Sequence, residues 1–133
     1  MIIPGSIVQI VDNTGARICK CIKALTKNNK ASTGDFIIVS LRKVRQRYAH
    51  KGQKKEQVKK GEIKIVFVTQ SNDFIFRSDG TVLKIFNNHG ILVTTKNIIN
   101  KALGSSFNKA LPHEVKVKAK KWEDVIKISP HLF

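Results

Sequence analysis

Seven short runs of β-branched and aromatic residues recur over the first 95 positions, at 7–11, 18–25, 36–41, 63–69, 74–76, 82–86 and 91–95. Each is too short for a stable helix, and turn formers separate them: Asp12-Asn13-Thr14-Gly15, Thr33-Gly34-Asp35, Lys60-Gly61-Glu62, Ser78-Asp79-Gly80 and Asn87-Asn88-His89-Gly90. In 63–68, Ile63, Ile65 and Phe67 alternate with Lys64, Val66 and Val68. One side of that strand therefore faces a core and the other is only partly wet. Several short strands at this spacing predict a sandwich or a small barrel. Closure into a barrel suits the pattern better, because it removes edges that would pair with other chains.

Past residue 96 the period changes. Ile99, Leu103, Phe107 and Leu111 fall at every fourth position, which predicts a short or broken helix packed on the barrel, weakened by Gly104-Ser105-Ser106 and ended by Pro112. Farther on, Trp122, Val125 and Ile126 follow helical spacing, while 125–129 reads equally well as a final strand. The chain thus divides into a barrel over 1–95 with a basic loop at 42–60, and a helical or extended part over 96–133. Both belong to one domain, since 133 residues bury about two thirds of their unfolded surface on folding. A hydrophobic content of 41% supplies that core in spite of the charge.

The charge changes the picture. Lys and Arg number 25 against 9 Asp and Glu, a net charge of +16. Half of it lies in residues 42–60, which hold nine Lys or Arg and one Glu. Flanked by two strands, this stretch reads as a long hairpin extension or loop. Charges so dense repel one another, so a counter-anion is expected. Folded RNA supplies one: each neutralised phosphate releases counterions, and Arg can grip a phosphate bidentately or stack on a base, as Tyr48 can. The candidates are Arg42, Lys43, Arg45, Arg47, Lys51, Lys54, Lys55, Lys59 and Lys60. The plain alternative is a solvated loop that aids solubility, which does not require +8 in one place. A second basic run, Lys116, Lys118, Lys120 and Lys121, is equally a wet face or a set of phosphate contacts.

Little else organises chemistry. Cys19 and Cys21 stand one residue apart, without the second Cys/His pair that zinc needs; His50, His89, His113 and His131 are scattered singly. Two small residues in a strand, in a reducing compartment, is the simpler reading. Asp12, Asp35 and Asp79 each sit beside Gly or Asn in a turn, where a carboxylate accepts backbone N–H bonds rather than serving as a general base. Glu123-Asp124 reads as the acidic first turn of a helix. No phosphate-binding Gly loop and no paired-His metal pattern is present. The expectation is therefore no enzyme and no cofactor, with Mg²⁺ only as the counterion of RNA. No apolar run approaches the roughly 18 residues that span a bilayer, so no membrane partner is expected, and Met1 to Ser6 reads as a start without a targeting segment.

Taken in order, the motifs resemble those of the universal large-subunit ribosomal protein family numbered L-fourteen. Val11-Asp12-Asn13-Thr14-Gly15-Ala16-Arg17 resembles its opening Asp-Asn-Ser/Thr-Gly-Ala-Arg/Lys turn, Cys21-Ile22-Lys23 its Cys-Ile-Lys, and Lys59-Lys60-Gly61-Glu62 its Lys-Lys-Gly-Asp/Glu. Asp79-Gly80-Thr81-Val82 with Asn88 and Ile91-Leu92 resembles the family signature, and Ile128-Ser129-Pro130-His131-Leu132-Phe133 its Leu-Ala-Pro-Glu-Val-Leu ending. The sequence departs from the family where Ile85, with Phe86 beside it, replaces the signature aromatic, which predicts a repacked core. Thr69 or Gln70 stands in place of an Arg, and the basic loop is longer, as though residues near 45–57 were inserted.

The resemblance implies a mostly β fold: a small closed five-stranded β-barrel with a long basic hairpin or loop and a short C-terminal helical part. It implies a structural constituent of the large ribosomal subunit that binds large-subunit rRNA and contributes to the intersubunit face. The implied partners are that rRNA, the neighbouring proteins numbered L-three and L-nineteen, small-subunit rRNA across the interface, and the ribosomal silencing factor. By resemblance, Asn13, Arg17 and Lys23 join the RNA-binding candidates. An assembly or translation factor with a small RNA-binding barrel is the alternative. Finally, 20 Lys to 5 Arg, with 17 Ile and 9 Asn, is the mark of AT-rich coding. That skew points to a mitochondrial ribosome and an organelle-encoded chain, with a plastid or a bacterial cytoplasm as alternatives.

Overall fold

The computed structural model describes residues 1–45, 58–96, 99–118 and 131–133. Each run read as a strand is one: β1 (Ile7–Ile10), β2 (Ala16–Ala24), β3 (Phe36–Val44), β4 (Ile63–Gln70), β5 (Phe74–Phe76), β6 (Val82–Lys84) and β7 (His89–Lys96). β1, β2, β3, β4 and β7 pair in that order. β7 then returns to β1 in parallel, through Gln9 with His89 and Ile10 with Gly90, and this closes the five-stranded barrel. β5 and β6 form a separate two-stranded hairpin between β4 and β7.

Alternation builds the core. Val8 and Ile10 of β1, Cys19 and Cys21 of β2, Ile37, Val39 and Leu41 of β3, Val66 and Val68 of β4, and Leu92 of β7 point inward into one cluster. β2 keeps Ala16, Cys19, Cys21 and Ala24 buried by shifting register between Ala16 and Ile18 and again between Cys21 and Lys23. Each bulge adds local twist, which a small barrel needs to close. The outer side of β4 and β7 carries a second cluster, Phe67, Ile91 and Val93 beneath Phe107, Leu111 and Val115. Phe36 stands 5.1 Å from Phe67, centroid to centroid, with the rings tilted by 57°. Strand 63–70 thus reads as apolar on both sides because the C-terminal part lies on its outer face.

That C-terminal part differs from the helix expected over 99–111. Residues 99–102 form β8 (Ile99–Ala102), antiparallel to β7 with Val93 opposite Ala102 and Lys96 opposite Ile99. Phe107 bridges to Asp12, and Leu111 to Leu132. A spacing of four is also a multiple of two, so the same stripe marks one face of extended chain. The edge of β7 past Leu92 decides between the two readings, because its N–H and C=O groups require partners there. The helix comes later, as α1 (His113–Lys118), and Pro112 precedes it rather than ending it. A fixed φ and a missing N–H suit Pro to the opening of a helix. Trp122 and the 125–129 segment lie outside the described residues. Among the described residues no helix is long and apolar enough to cross a membrane.

Candidate nucleic-acid interface

The site grows from the Asp12–Gly15 turn. Oδ1 of Asp12 accepts the Thr14 N–H at 3.1 Å and its hydroxyl at 2.5 Å, while Oδ2 accepts the Leu92 N–H at 2.8 Å. The Leu92 carbonyl accepts the Leu103 N–H at 2.9 Å, and the Gly90 carbonyl the Val11 N–H at 3.1 Å. Asp12 therefore seals the seam where the edge of β7 passes from β1 to β8. Gly15 takes φ +99°, open to Gly at little cost. Its carbonyl accepts the Arg45 N–H at 2.7 Å, which ties the end of β3 to the turn that carries Arg17.

Asn13 works inward. Its Nδ2 donates to the Ser105 hydroxyl at 2.7 Å, its Oδ1 accepts the Ser105 N–H at 2.9 Å, and its own N–H donates to the Ser106 carbonyl at 3.2 Å. The contact requires Gly104, since a Cβ there would stand 2.7 Å from Asn13 Oδ1. The Asn108 N–H donates to the Val11 carbonyl at 3.3 Å. These bonds bring Asn108 and Lys109 across from Arg17 and Arg45, and the result is an open cleft of about 320 Å³ with Gln9 along one wall.

Four of the other candidate cations cluster around the same end of the barrel. Arg42 and Lys43 lie beyond the last β3–β4 pair, Ser40 with Ile63, and Lys43 stands opposite Ile18 of β2. Lys59 and Lys60 enter a turn whose Gly61 N–H donates to the Leu41 carbonyl at 2.7 Å. All four are exposed, as are Arg17 and Arg45. Lys23, also exposed, pairs with Ile38, roughly 20 Å along β2 from Arg17 at about 3.3 Å per residue. Arg47, Lys51, Lys54 and Lys55 lie outside the described residues.

Among the described residues no carboxylate pairs with these cations. Glu62 pairs with Lys64 at 3.0 Å, and the Lys59 N–H and this ammonium hold its carboxyl below the usual range. Among the described residues, Arg17, Arg42, Lys43, Arg45, Lys59, Lys60 and Lys109 form no ion pair. Lys109 also acts on buried His89, whose pKa falls below the ordinary value through burial and then through this neighbouring charge. Gln70 Nε2 donates to the Ala110 carbonyl at 2.7 Å, which turns its Oε1 to accept from His89 Nδ1 at 2.9 Å. A neutral His89 thus braces the floor of the segment that presents Lys109.

Asp35, Asp79, Cys19 and Cys21 are structural, while Tyr48, His50, Lys120, Lys121, Glu123 and Asp124 lie outside the described residues. Asp35 Oδ2 accepts from the Ser32 N–H and hydroxyl at 2.8 and 3.0 Å, and Asp79 Oδ1 from those of Thr81 at 3.0 and 2.6 Å. Cys19 and Cys21 are free and buried; burial, then the charges of Cys21 and Asp12, push the Cys19 thiol up to about 12. Gln9, Asn108 and Lys109 are not among the site candidates of the sequence; Asn108-Lys109 stands there only as a departure from the family's Gly-Pro, and the helix expected over 99–111 gave no reason to set that pair beside the Asp12 turn. The bridge from Asp12 to Phe107 is what places them there.

The family described as ribosomal protein L14p/L23e matches residues 1–133, the whole chain. The chain belongs to this family. It is accordingly a structural protein of the large ribosomal subunit, in a family that is structural rather than enzymatic. Membership implies a place on the ribosome and binding to ribosomal RNA and to other ribosomal proteins. Two departures from the L14p/L23e pattern now have a location. Thr69 is fully buried, and its hydroxyl has no hydrogen-bond partner among the described residues, while Gln70 serves His89. Where the family carries an Arg, this chain turns inward. Ile85 is buried and Phe86 lies outside.

Proposed function

We propose that this large-subunit protein binds rRNA through the cationic end of its barrel. The observation that carries the reading is the set Arg17, Arg42, Lys43, Arg45, Lys59 and Lys60, exposed together and unpaired among the described residues. Exposed cations lose little hydration when a phosphate replaces water, and each contact releases condensed counterions. Arg17, Arg45 and Lys109 around the cleft suit a phosphodiester, with the Gln9 and Asn108 amides in reach of its sugar or base. Asn13 acts by positioning this rim. Arg47, Lys51, Lys54 and Lys55 extend the surface by sequence, and Lys23 makes a separate contact. Magnesium enters only as a counterion of the RNA.

The finer assignment rests on the resemblance. The protein contributes to the intersubunit face opposite small-subunit rRNA, neighbours the proteins numbered L-three and L-nineteen, and receives the silencing factor on its free surface. The Lys-over-Arg skew supports a mitochondrial ribosome. With some 6–10 phosphates contacted, affinity for large-subunit rRNA falls about 10³–10⁵-fold between 50 and 200 mM salt. A flat salt response overturns the mechanism. Retention on large subunits through a high-salt wash separates a resident constituent from a transient assembly or translation factor.

A further inference from the structure

Several side-chain amides near the cationic end are spent inside the fold. Asn13 holds Ser105, Gln70 joins the Ala110 carbonyl to His89, and Asn88 Oδ1 accepts the Asn72 N–H at 2.8 Å. Gln9 and Asn108 differ. Both are exposed, both line the cleft, and among the described residues neither side-chain amide has a hydrogen-bond partner. Their backbones are nevertheless fixed: the Gln9 N–H donates to the Asn88 carbonyl at 2.9 Å, and the Asn108 N–H to that of Val11. Two free donor–acceptor groups therefore meet one space from two anchored segments.

Size and charge decide what enters. A cleft of about 320 Å³ lies at the small end for a ligand site and admits no double helix, but it has room for one nucleotide turned out of its stack. Arg17, Arg45 and Lys109 stand around it against a single carboxylate, Asp12. The Asp12 oxygens already accept the Thr14 and Leu92 N–H groups. The cleft thus carries charge for a phosphate and, beyond that, two amides for which a phosphate has no use.

The amides identify the base. An amide donates and accepts side by side, which matches the N6 donor and N7 acceptor of adenine. Guanine presents two acceptors on that edge, N7 and O6, and the pyrimidines lack the edge altogether. The second N6 hydrogen lies beside the N1 acceptor, so a second amide fits there only when adenine is unpaired. Among the described residues no aromatic side chain lines the cleft, which leaves a guanidinium plane as the stacking surface and these edges as the source of selectivity. Asn108 and Lys109 stand where the L14p/L23e pattern has Gly-Pro, which offers neither an amide side chain nor an ammonium. The arrangement accordingly belongs to this chain rather than to the common surface of the family.

We propose that the cleft receives one unpaired adenosine of ribosomal RNA, with its phosphate on Arg17, Arg45 and Lys109 and its N6/N7 and N6/N1 edges read by the amides of Gln9 and Asn108. The inference rests on the cationic end being an rRNA surface and adds base selectivity to it. Fluorescence anisotropy of the full chain with labelled heptauridylates carrying A, G, C or U at the centre tests it. The A heptamer should bind about tenfold tighter than the others. Gln9→Ala and Asn108→Ala should each remove most of that preference and leave the salt slope for large-subunit rRNA unchanged, whereas Lys109→Ala should lower the slope by about 1 and keep the preference. In purified large subunits, Gln9→Ala with Asn108→Ala should open one adenine N7 to diethyl pyrocarbonate that the unsubstituted subunit protects. Equal affinity for the four heptamers, a preference for G, AMP binding as tightly as the A heptamer, or identical modification of both subunits overturns the proposal. Unchanged melting of the variants excludes misfolding as the cause; if Gln9→Ala misfolds, Asn108→Ala decides alone. Salt-dependent rRNA binding without base preference defeats this inference only, while a flat salt response defeats the reading of the cationic end.

Discussion

Two antiparallel pairs in this molecule show opposite surfaces. The β2–β3 pair, with the turns at its end, exposes Arg17, Arg42, Lys43 and Arg45, unpaired among the described residues, while the β5–β6 hairpin exposes Phe74, Phe76, Val82 and Phe86 and has its Arg77 matched to Glu114. Strand geometry is common to both. The difference lies in which residues occupy the outward positions and in whether carboxylates accompany the cations. A net charge of +16 describes the first pair and misdescribes the second. A protein wedged between RNA and other proteins has reason to keep the two surfaces separate.

The comparison breaks most completely if the barrel itself fails. Phe67→Ala empties a fully buried site between Phe36 and the C-terminal part and should cost about 3–5 kcal/mol. Denaturant unfolding should then show both surfaces lost in one transition. A smaller effect separates them: Arg17→Ala, Arg45→Ala and Lys109→Ala together should lower the slope of log affinity for rRNA against log salt by about 3. Phe76→Ser with Phe86→Ser should leave that slope alone. An equal loss from both sets would erase the distinction.

A subtler test reaches the cleft through its support. Gly104→Ala forces Asn13 off Ser105 and should cost about 1–2 kcal/mol, with a salt slope smaller by about 1 as Lys109 moves away. Hairpin protection from amide exchange should not change. The smallest expected effect lies on the hairpin side. The Arg77 hydrogen bond holds the Glu114 carboxyl below the usual carboxylate range, so its stabilising contribution is present above the ordinary Glu value of about 4.3 and is lost as pH falls through the depressed folded value. Amide exchange of β5 and β6 should quicken in that acid window, and Glu114→Gln should remove the pH dependence while leaving the β2–β3 wall as it was.

Much of this was legible in the residues, for identifiable reasons. Alternation such as Ile63 to Val68 marks strands because a pleat has period two, and Asp beside Gly or Asn marks turns because the carboxylate has N–H groups to accept. The ends of the basic stretch, at 42–45 and 59–60, were readable as an exposed basic surface from charge density alone. The 99–111 segment was not, since Ile99, Leu103, Phe107 and Leu111 satisfy both periods and only the open edge of β7 chooses between them. Lys109 was hidden for the same reason: a bridge from Asp12 to Phe107 leaves no local trace. The exposed face of Phe76 and Phe86 was hidden because a run such as Phe74-Ile75-Phe76 reads as core until the hairpin is seen to stand apart from the barrel.

The parallel closure of β1 on β7 also sets a timetable for synthesis. Its pairs, Gln9 with His89 and Ile10 with Gly90, join positions 80 apart, so the cylinder cannot shut until His89 has left the exit tunnel. Until then β1 and β4 both lack a neighbour and are open to pairing with other nascent chains. The rim that carries Lys109 is made later still. A truncated or stalled chain therefore keeps its sticky edges and lacks a complete cleft, whose Lys109 rim arrives only with the last third of translation.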